Sequence, residues 1–287
     1  MVIDSLIKTT QKRMAVNHYE NFPVASVLLP ASIRTDVVNL YRFARSADDI
    51  ADEGDSLPSE RLRSLTQYRQ ALHTIGENPH LKSVGDTKLD PIFVPLAATI
   101  IKHSLPLTPF SDLLSAFEQD ITTKRYQTEQ SLNDYCRRSA NPVGRLMLIL
   151  FQKNDALSHD QSDAICTALQ RINFLQDIAI DFKKERIYLS KQSIEANGVT
   201  LAHFAQQRCD SAWRRLMQDQ VQICRDLMQQ GAPLGRRLRG RAAWEMRLII
   251  QGGLRILEKI EAVDFDVFRH RPTLNKADWA RLIWRSI

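Results

Sequence analysis

Two acidic clusters are the residues of this sequence best suited to do chemistry. The first contains Asp48, Asp49 and Asp52, and the second contains Asp177 and Asp181. In each cluster two carboxylates stand four residues apart, so a helix would present them on one face. Like charges at this spacing destabilise a helix by about 0.2–0.5 kcal/mol. An unfavourable pairing that occurs twice therefore predicts a site for cations.

Each acidic cluster ends a longer stripe of side chains. Tyr41 and Arg45 precede the first cluster, and Gln170 and Asn173 precede the second, at steps of three or four residues. Hard divalent cations such as Mg²⁺ prefer oxygen ligands, keep several waters and complete their shell with substrate phosphates. Two such stripes facing one cavity therefore indicate a metal site that binds a diphosphate.

The elements that must position these stripes are helices. Apolar residues recur at helical spacing almost throughout, and strict alternation is hard to find, so we predict an all-α protein with one domain over residues 1–287. Pro30 begins the helix of the first cluster and Gly54 ends it. Ser158 and Gln161 match a capping box that would open the helix of the second cluster. Both clusters then lie near helix C-termini, where a carboxylate opposes the helix dipole unless a cation is bound.

Composition and charge limit the class of protein and its location. Hydrophobic residues make up 44% and charged residues 25% of the 287 positions, as in ordinary soluble domains. No apolar run approaches the roughly 18 residues that cross a bilayer, and the N-terminus lacks the apolar stretch of a signal peptide. We therefore expect a cytoplasmic protein.

The net charge of +6 reflects basic residues that concentrate late in the chain, notably in residues 236–241. Basic patches bind anionic lipid, phosphate or nucleic acid. Neither a zinc-finger spacing nor an aromatic RNA-binding motif accompanies this one, so a nucleic-acid partner is not expected. A solvated helix end is the equal alternative to a binding patch.

The two clusters stand in a fixed order among aromatic and basic residues. In chain order these are Phe22 with Leu28-Leu29-Pro30, the stripe from Tyr41 to Asp52, Tyr135-Cys136, the stripe from Gln170 to Asp181, and Arg186-Ile187-Tyr188. This pattern resembles the squalene and phytoene synthase family over most of the chain. The resemblance implies an isoprenoid synthase fold, which is all-α and forms one helical domain around a central cavity. It also implies that Mg²⁺, or Mn²⁺ in its place, bridges the aspartates to a prenyl diphosphate.

The resemblance implies a role for each of the following residues. The implied metal ligands are Asp48, Asp49, Asp52, Asn173, Asp177 and Asp181. The implied substrate-binding residues are Phe22, Arg45, Tyr135, Gln170, Arg186, Arg271 and Lys276. The implied catalytic residues are Tyr41, Arg45, Asn141, Gln176 and Tyr188.

Elementary chemistry supports several of these roles. Arginines beside a diphosphate stabilise the charge that develops as it leaves carbon, and aromatic faces stabilise the carbocation left behind in a dry pocket. For Phe22, Tyr41 and Tyr188, packing in the core is an equal alternative. For Arg271 and Lys276, the alternative is a pair of surface charges.

Three departures from the common family pattern narrow the resemblance. Gln176 stands where many members have arginine, residues 139–142 read Ser-Ala-Asn-Pro, and residues 20–26 replace a serine-rich start. We expect Pro142 to kink a helix and Asn141 to hold a water. Together these variants resemble the hydroxysqualene synthase branch of bacterial hopanoid synthesis. That likeness implies that presqualene diphosphate ionises and water captures the rearranged cation, with no NADPH required.

Two other functions compete with this interpretation. A condensing enzyme would join two farnesyl or geranylgeranyl diphosphates head to head, although the usual arginine is missing at Gln176. A catalytically silent helical scaffold would need no aspartates, yet both pairs are present. A di-iron bundle would need two Glu-x-x-His motifs, and the sequence has one, in residues 77–80, which Pro79 breaks.

The substrate class also predicts where the protein works. Presqualene diphosphate and other prenyl diphosphates are lipids, so we expect transient contact with the inner face of the membrane. The candidate surface is the basic patch of residues 236–241. Neighbouring enzymes of the same pathway are further candidate partners.

Overall fold

The structure is a computed structural model that describes residues 29–286, and nearly all of its regular elements are helices. In chain order the elements are α1 (Ala31–Asp52), α2 (Pro58–Glu77), α3 (Asp90–His103), α4 (Thr108–Thr122), β1 (Arg125–Tyr126), α5 (Glu129–Ser139), α6 (Asn141–Leu150), α7 (Ala156–Lys183), β2 (Ile187–Ser190), α8 (Lys191–Ala196), α9 (Leu201–Ala205), α10 (Ser211–Gly231), α11 (Leu234–Arg237), α12 (Gly240–Ala262) and α13 (Lys276–Arg285). The predicted all-α class is confirmed over this range. None of these helices is long and apolar enough to cross a membrane.

Helix α1 carries the first acidic cluster and follows its predicted limits. Pro30 precedes the first helical residue, and Gly54 lies two residues beyond the last with a φ of 73°. A left-handed φ suits glycine because it has no Cβ, so the chain turns away there. Ile33, Val37 and Leu40 are buried on the face opposite to solvent. The apolar stripe thus fixes how the carboxylates are oriented.

Helix α7 carries the second cluster, but it begins earlier than predicted. Its N-cap is Asp155, whose carboxylate accepts hydrogen bonds from the Ser158 backbone N–H at 3.0 Å and the Ser158 hydroxyl at 2.9 Å. The expectation that Ser158 opens the helix is therefore wrong by three residues. The physical reason is that the Asp155 carboxylate accepts both bonds, which leaves Ser158 in the first turn.

The segment around Pro142 is a junction between two helices. Helix α5 ends at Ser139 and α6 begins at Asn141, which places Pro142 in the first turn of α6. A missing N–H costs nothing in a first turn, because that group has no intrahelical partner. The predicted kink inside one helix is therefore wrong, and the proline starts a second helix instead.

A short parallel ladder joins β1 to β2, and the sequence pattern did not predict it. Arg125 pairs with Ile187 and Tyr126 with Ser190, with an irregularity between the two pairs. The Ile187 N–H donates to the Lys124 carbonyl at 3.1 Å. This ladder brings the C-terminal end of α4 beside the turn that follows α7.

Buried apolar side chains form two large clusters and one small cluster. The first lies between α7, α10 and α12, and the second joins α1 to α4 with α6. The small cluster is aromatic and contains Tyr126, Tyr135 and Phe174, with Tyr188 packed against it. The site lies between these clusters.

Candidate active site

The two carboxylate pairs approach each other across the C-terminal parts of α1 and α7. Burial, together with the charge of neighbouring Asp52, raises the pKa of Asp48 to about 7. Burial and the charge of Asp177 raise the pKa of Asp181 to about 7, and Asp52 on the opposite helix adds to this effect. The structure therefore brings together the two clusters that the sequence singled out.

Basic side chains partly neutralise this acidic cluster. Arg186 lies 2.6 Å from Asp52, and Lys184 lies 3.4 Å from the same carboxylate. Burial would raise the pKa of Asp52, but the charges of Arg186 and Lys184 outweigh it, so the pKa is lowered. Across the site, Arg271 lies 2.5 Å from Asp177. Asp52 and Asp177 are thus paired with arginines that lie outside their own helices, whereas burial and like charge raise the pKa values of Asp48 and Asp181.

Arg45 neutralises the start of the first cluster from within α1. Its guanidinium lies 3.1 Å from the Asp48 carboxylate and 2.6 Å from the Asp49 carboxylate. This arrangement follows from spacings of three and four residues on one helix. Asp49 is therefore held toward Arg45 on the neighbouring stripe of α1.

Asp120 is a site residue that the sequence interpretation missed. It lies near the end of α4, where its carboxylate accepts hydrogen bonds from the hydroxyls of Tyr135 at 2.7 Å and Tyr188 at 3.1 Å. Burial raises its pKa to about 6, although the Tyr135 hydrogen bond and the charge of Arg186 favour the ionised form. One signal was available: Asp120 shares an apolar helix face with Leu113 and Phe117.

An aromatic stack backs this carboxylate. The rings of Phe174 and Tyr188 are parallel with centroids 4.1 Å apart, and Tyr135 stacks on Tyr188 at 5.8 Å. Burial raises the pKa of both tyrosine hydroxyls well above the ordinary value. They therefore stay protonated and act as donors to Asp120.

A cavity of about 390 Å³ opens beside the acidic cluster. Most of its lining is apolar and comes from α1, α4, α6, α7 and α12. The polar residues on its wall include Tyr41, Arg45, Asp48, Asp120, Gln170 and Asn173. Tyr135 lines it as well. The volume falls in the usual range of ligand pockets, and because Asp48 belongs to the cluster and to the wall, the two are continuous.

The predicted residues Asn141, Gln176 and Lys276 lie neither on the wall of this cavity nor in the ion pairs of the acidic cluster. Asn141 is buried and accepts a hydrogen bond from the Thr167 hydroxyl at 3.0 Å, because it begins α6 on the side facing α7. Gln176 is buried and its amide donates to the Pro272 carbonyl at 2.6 Å, because it lies on the inner side of α7. Lys276 is exposed at the first position of α13. Phe22 and the variant residues 20–26 lie outside the described residues.

Ser139 is better placed than Asn141 to meet a ligand. Ser139 lines the cavity, and its buried hydroxyl has no hydrogen-bond partner among residues 29–286. A buried hydroxyl without a partner is costly unless a water or a ligand completes it. Ser139 therefore lies on the cavity wall, whereas Asn141, two residues later in the same segment, does not.

The carboxylate set fits a hard divalent cation that a substrate helps to hold. Among the described residues, no three acidic, histidine or cysteine side chains are arranged to chelate one ion. Mg²⁺ commonly takes only one or two carboxylates and completes its shell with waters and substrate phosphates, so a pair on each helix is sufficient. The buried Arg186 Nε, which has no acceptor within residues 29–286, leaves a donor for a phosphate oxygen.

Comparison with solved structures confirms the fold. A crystal structure of squalene synthase HpnC from Alicyclobacillus acidocaldarius superposes with a TM-score of 0.78 at 33% identity, covering 88% of this chain and 92% of that chain. A dehydrosqualene synthase in complex with a ligand superposes with a TM-score of 0.83 at 20% identity, which shows the fold alone. The all-α isoprenoid synthase fold implied by the sequence resemblance is therefore confirmed.

Comparison with curated sequences and family models gives the family. Hydroxysqualene synthase from Zymomonas mobilis is 40% identical over 184 residues, which are 63% of this chain but 58% of that protein. Hydroxysqualene synthase from Rhodopseudomonas palustris is 30% identical over 247 residues, covering 85% of this chain and 80% of that protein. The squalene/phytoene synthase family model matches residues 15–278. The chain therefore belongs to the squalene/phytoene synthase family.

Proposed function

We propose that this protein is a hydroxysqualene synthase that converts presqualene diphosphate and water into hydroxysqualene and diphosphate. The observation that supports this most strongly is the pair of facing carboxylate stripes on α1 and α7 beside an apolar cavity. Two relatives named hydroxysqualene synthase, at 30% and 40% identity, favour this reaction over others in the family.

A divalent metal ion and arginine side chains would bind the diphosphate together. Asp48, Asp52, Asp177 and Asp181, with Asn173 on the cavity wall, would hold Mg²⁺, which supplies electrostatic stabilisation of the leaving diphosphate. The arginines beside these carboxylates would donate to phosphate oxygens of the same diphosphate. Preorganised cations of this kind stabilise the negative charge that builds up as the C–O bond breaks.

The cavity would then contain the carbocation until water adds. The C–O bond to diphosphate breaks with its electron pair leaving on oxygen, the cation rearranges, and a water adds while releasing one proton. Apolar walls exclude bulk water, and the ring of Tyr41 on the wall can face the positive charge. Asp120, whose carboxylate accepts hydrogen bonds from Tyr135 and Tyr188, places a further negative group on the cavity wall.

We assign the water-holding role to Ser139. Its unpartnered buried hydroxyl lines the cavity. Asn141 instead accepts a hydrogen bond from the Thr167 hydroxyl, and Gln176 donates one to the Pro272 carbonyl. An oriented water reacts far faster than one that must diffuse in, so one fixed hydroxyl can decide between water capture and proton loss.

Product analysis tests the proposed reaction. Purified protein with presqualene diphosphate and Mg²⁺, but without NADPH, should release diphosphate and form hydroxysqualene, and excess EDTA should abolish turnover. Mn²⁺ should restore it. Farnesyl diphosphate given alone tests the alternative, because a head-to-head condensing enzyme would convert it. Conversion of farnesyl diphosphate with no reaction of presqualene diphosphate would overturn the assignment in favour of that enzyme.

The lipid substrate also supports contact with the inner face of the membrane from the cytoplasm. Helix α13 exposes Trp279, Ile283 and Trp284, at 46%, 43% and 77% of their surfaces, beside exposed Lys276 and Arg281. Tryptophan next to basic residues suits an anionic membrane surface. We therefore add α13 to the basic patch at residues 236–241, where Arg237 is already paired with Asp155 at 2.8 Å.

A further inference from the structure

The segment between α12 and α13 passes beside Asp177, and we call its residues 270–275 the strap. It has no regular secondary structure, and it carries Arg271 to within 2.5 Å of the Asp177 carboxylate. A segment without internal hydrogen bonds keeps one position only if other elements hold its backbone. Its anchors therefore decide where Arg271 lies.

One anchor comes from α7. The Gln176 amide donates to the Pro272 carbonyl at 2.6 Å, and only 3% of the Gln176 surface is exposed. Pro272 is buried as well. Gln176 directly precedes Asp177 on the helix, so its side chain points about 100° away from the carboxylate. Gln176 and Asp177, which lie in one turn of α7, thus hold the consecutive strap residues Pro272 and Arg271.

A second anchor comes from α12 and fixes the C-terminal end of the strap. Lys259 donates to the Thr273 carbonyl at 2.5 Å and pairs with Asp278 at 2.5 Å. Asn275 caps α13 by accepting a hydrogen bond from the Asp278 N–H at 2.9 Å. At the other end, the His270 N–H donates to the Asp266 carbonyl at 3.1 Å, so both ends of the strap are held independently of α7. The bond from Gln176 holds the middle of the strap, at the residue next to Arg271.

We propose that Gln176 is a positioning residue that holds the strap so that Arg271 lies over Asp177, and thereby sets how tightly the site binds a diphosphate. A neutral amide suits this role, because it satisfies a buried carbonyl without adding a charge beside the carboxylates. With Asp177 among the residues that would hold Mg²⁺, Arg271 would donate to a phosphate oxygen while the strap stays in place. This second step rests on the proposed function.

Hydrogen exchange tests the positioning without using the reaction. Gln176→Met keeps the approximate size of the side chain and removes the donor, and Gln161→Met is the matched control, since Gln161 is also a buried amide of α7. Backbone exchange in residues 270–275 should rise severalfold in Gln176→Met and stay at the wild-type rate in the control. Equal exchange in the two variants would overturn the proposal. If Gln176→Met does not fold, Gln176→Asn removes one methylene and should raise exchange in the same direction.

Binding of inorganic pyrophosphate with Mg²⁺, measured by calorimetry, tests the consequence. Gln176→Met should weaken it about tenfold, the scale of one lost hydrogen bond. In an Arg271→Ala background the same change should have no further effect, because Gln176 acts through Arg271. Two independent, multiplying losses would overturn that pathway. If wild-type protein binds no magnesium pyrophosphate, the proposed function and the affinity role both fail, while the exchange data still decide the anchoring.

Discussion

At the scale of single residues, the carboxylates of the site differ in their ion pairs and in their pKa values. Asp52 and Asp177 are paired with arginines from other elements. Burial and like charge raise the pKa values of Asp48 and Asp181 to about 7, although Arg45 lies 3.1 Å from Asp48. Near neutral pH the metal-free site is therefore only partly ionised. A divalent cation would compete with protons for the second pair.

This competition predicts a pH dependence of stability. Between about pH 4 and 7 the folded protein keeps protons on Asp48 and Asp181 that the unfolded chain releases, so the metal-free protein loses stability as pH rises through this window. Mg²⁺ needs the ionised forms, so it should raise Tm more at pH 8 than at pH 6. Scanning calorimetry with and without Mg²⁺ measures both effects. A Tm increase of the same size at both pH values would contradict the assignment of metal to these carboxylates.

Removal of single carboxylates should separate catalysis from folding. Asp48→Asn or Asp177→Asn should lower kcat by about 10² or more, the effect of losing one preorganised electrostatic contact. Far-UV circular dichroism should remain that of the wild type. Asp55→Asn is the control, because Asp55 is exposed three residues beyond Asp52. Wild-type turnover in both site variants would mean that these are ordinary solvated acids.

The sequence predicted the residues that share a helix stripe and missed those that a tertiary contact selects. Arg45, Asp48 and Asp181 follow from spacing alone. Asp120 could not be assigned by a motif, because its partners Tyr135 and Tyr188 come from two other elements. The hydrogen bond of Gln176 could not be predicted either, because its acceptor, the Pro272 carbonyl, lies 96 residues away.

At the scale of elements, the cavity depends on the close approach of α6 to α7. A Cβ on Gly144 would lie 2.3 Å from the Ser162 hydroxyl oxygen and 2.6 Å from the Cys166 sulfur. Both contacts are shorter than packed atoms allow, and both partners are on the cavity wall. Glycine is therefore required here for packing, since its φ is ordinary.

Gly144→Ala should push α6 away from α7 and destabilise the fold by about 1–3 kcal/mol. Gly252→Ala is the matched control in α12, where the new Cβ would meet Leu274 and Leu282 at ordinary distances of 3.8 and 4.0 Å. That variant should be neutral or more stable by about 0.4–1 kcal/mol. Chemical denaturation measures both. Equal stability of the two variants would show that this helix contact does not matter.

Two features of the elements escaped the sequence patterns for a common reason. The β1 to β2 ladder spans two residues on one side, too few for any periodicity. The break between α5 and α6 depends on whether Pro142 lies in a first turn or inside a helix, and apolar spacing continues through both cases. Short elements and junctions are set by contacts, whereas α1 and its ends could be predicted from Pro30, Gly54 and the apolar stripe.

At the scale of the whole molecule, α13 offers a surface for the membrane that supplies the substrate. Trp279→Gln combined with Trp284→Gln should weaken binding to anionic vesicles by at least about tenfold, the effect of roughly 1.4 kcal/mol of lost apolar burial. Binding should also weaken with salt, since the Lys276 and Arg281 attraction is screened. Vesicle sedimentation measures both.

The control for this surface is Leu201→Gln, because Leu201 is 60% exposed on a different helix, α9. It should bind vesicles as the wild type does. Wild-type protein that never sediments with anionic vesicles at low salt would contradict membrane contact. Wild-type affinity in the double tryptophan variant would instead move the contact to another surface, such as residues 236–241.

The whole fold was easier to predict than its cavity. Helical periodicity gave the all-α class, and two aspartate stripes with their basic and aromatic companions gave the family resemblance. The wall of the cavity depends on side chains from six helices, and Ser139 is distinguished from Asn141 only by the direction in which each points. Spacing along the chain carries no information on such directions at a helix junction.

The source of the oxygen atom in the product decides whether water captures the carbocation. Presqualene diphosphate incubated with Mg²⁺ in H₂¹⁸O, without a reductant, should give a C30 alcohol that carries one ¹⁸O atom, and Ser139→Ala should raise the share of dehydrated products. Mass spectrometry of the extracted lipids measures both. A main product of squalene or phytoene formed from simple allylic diphosphates, with no solvent oxygen incorporated, would contradict the account.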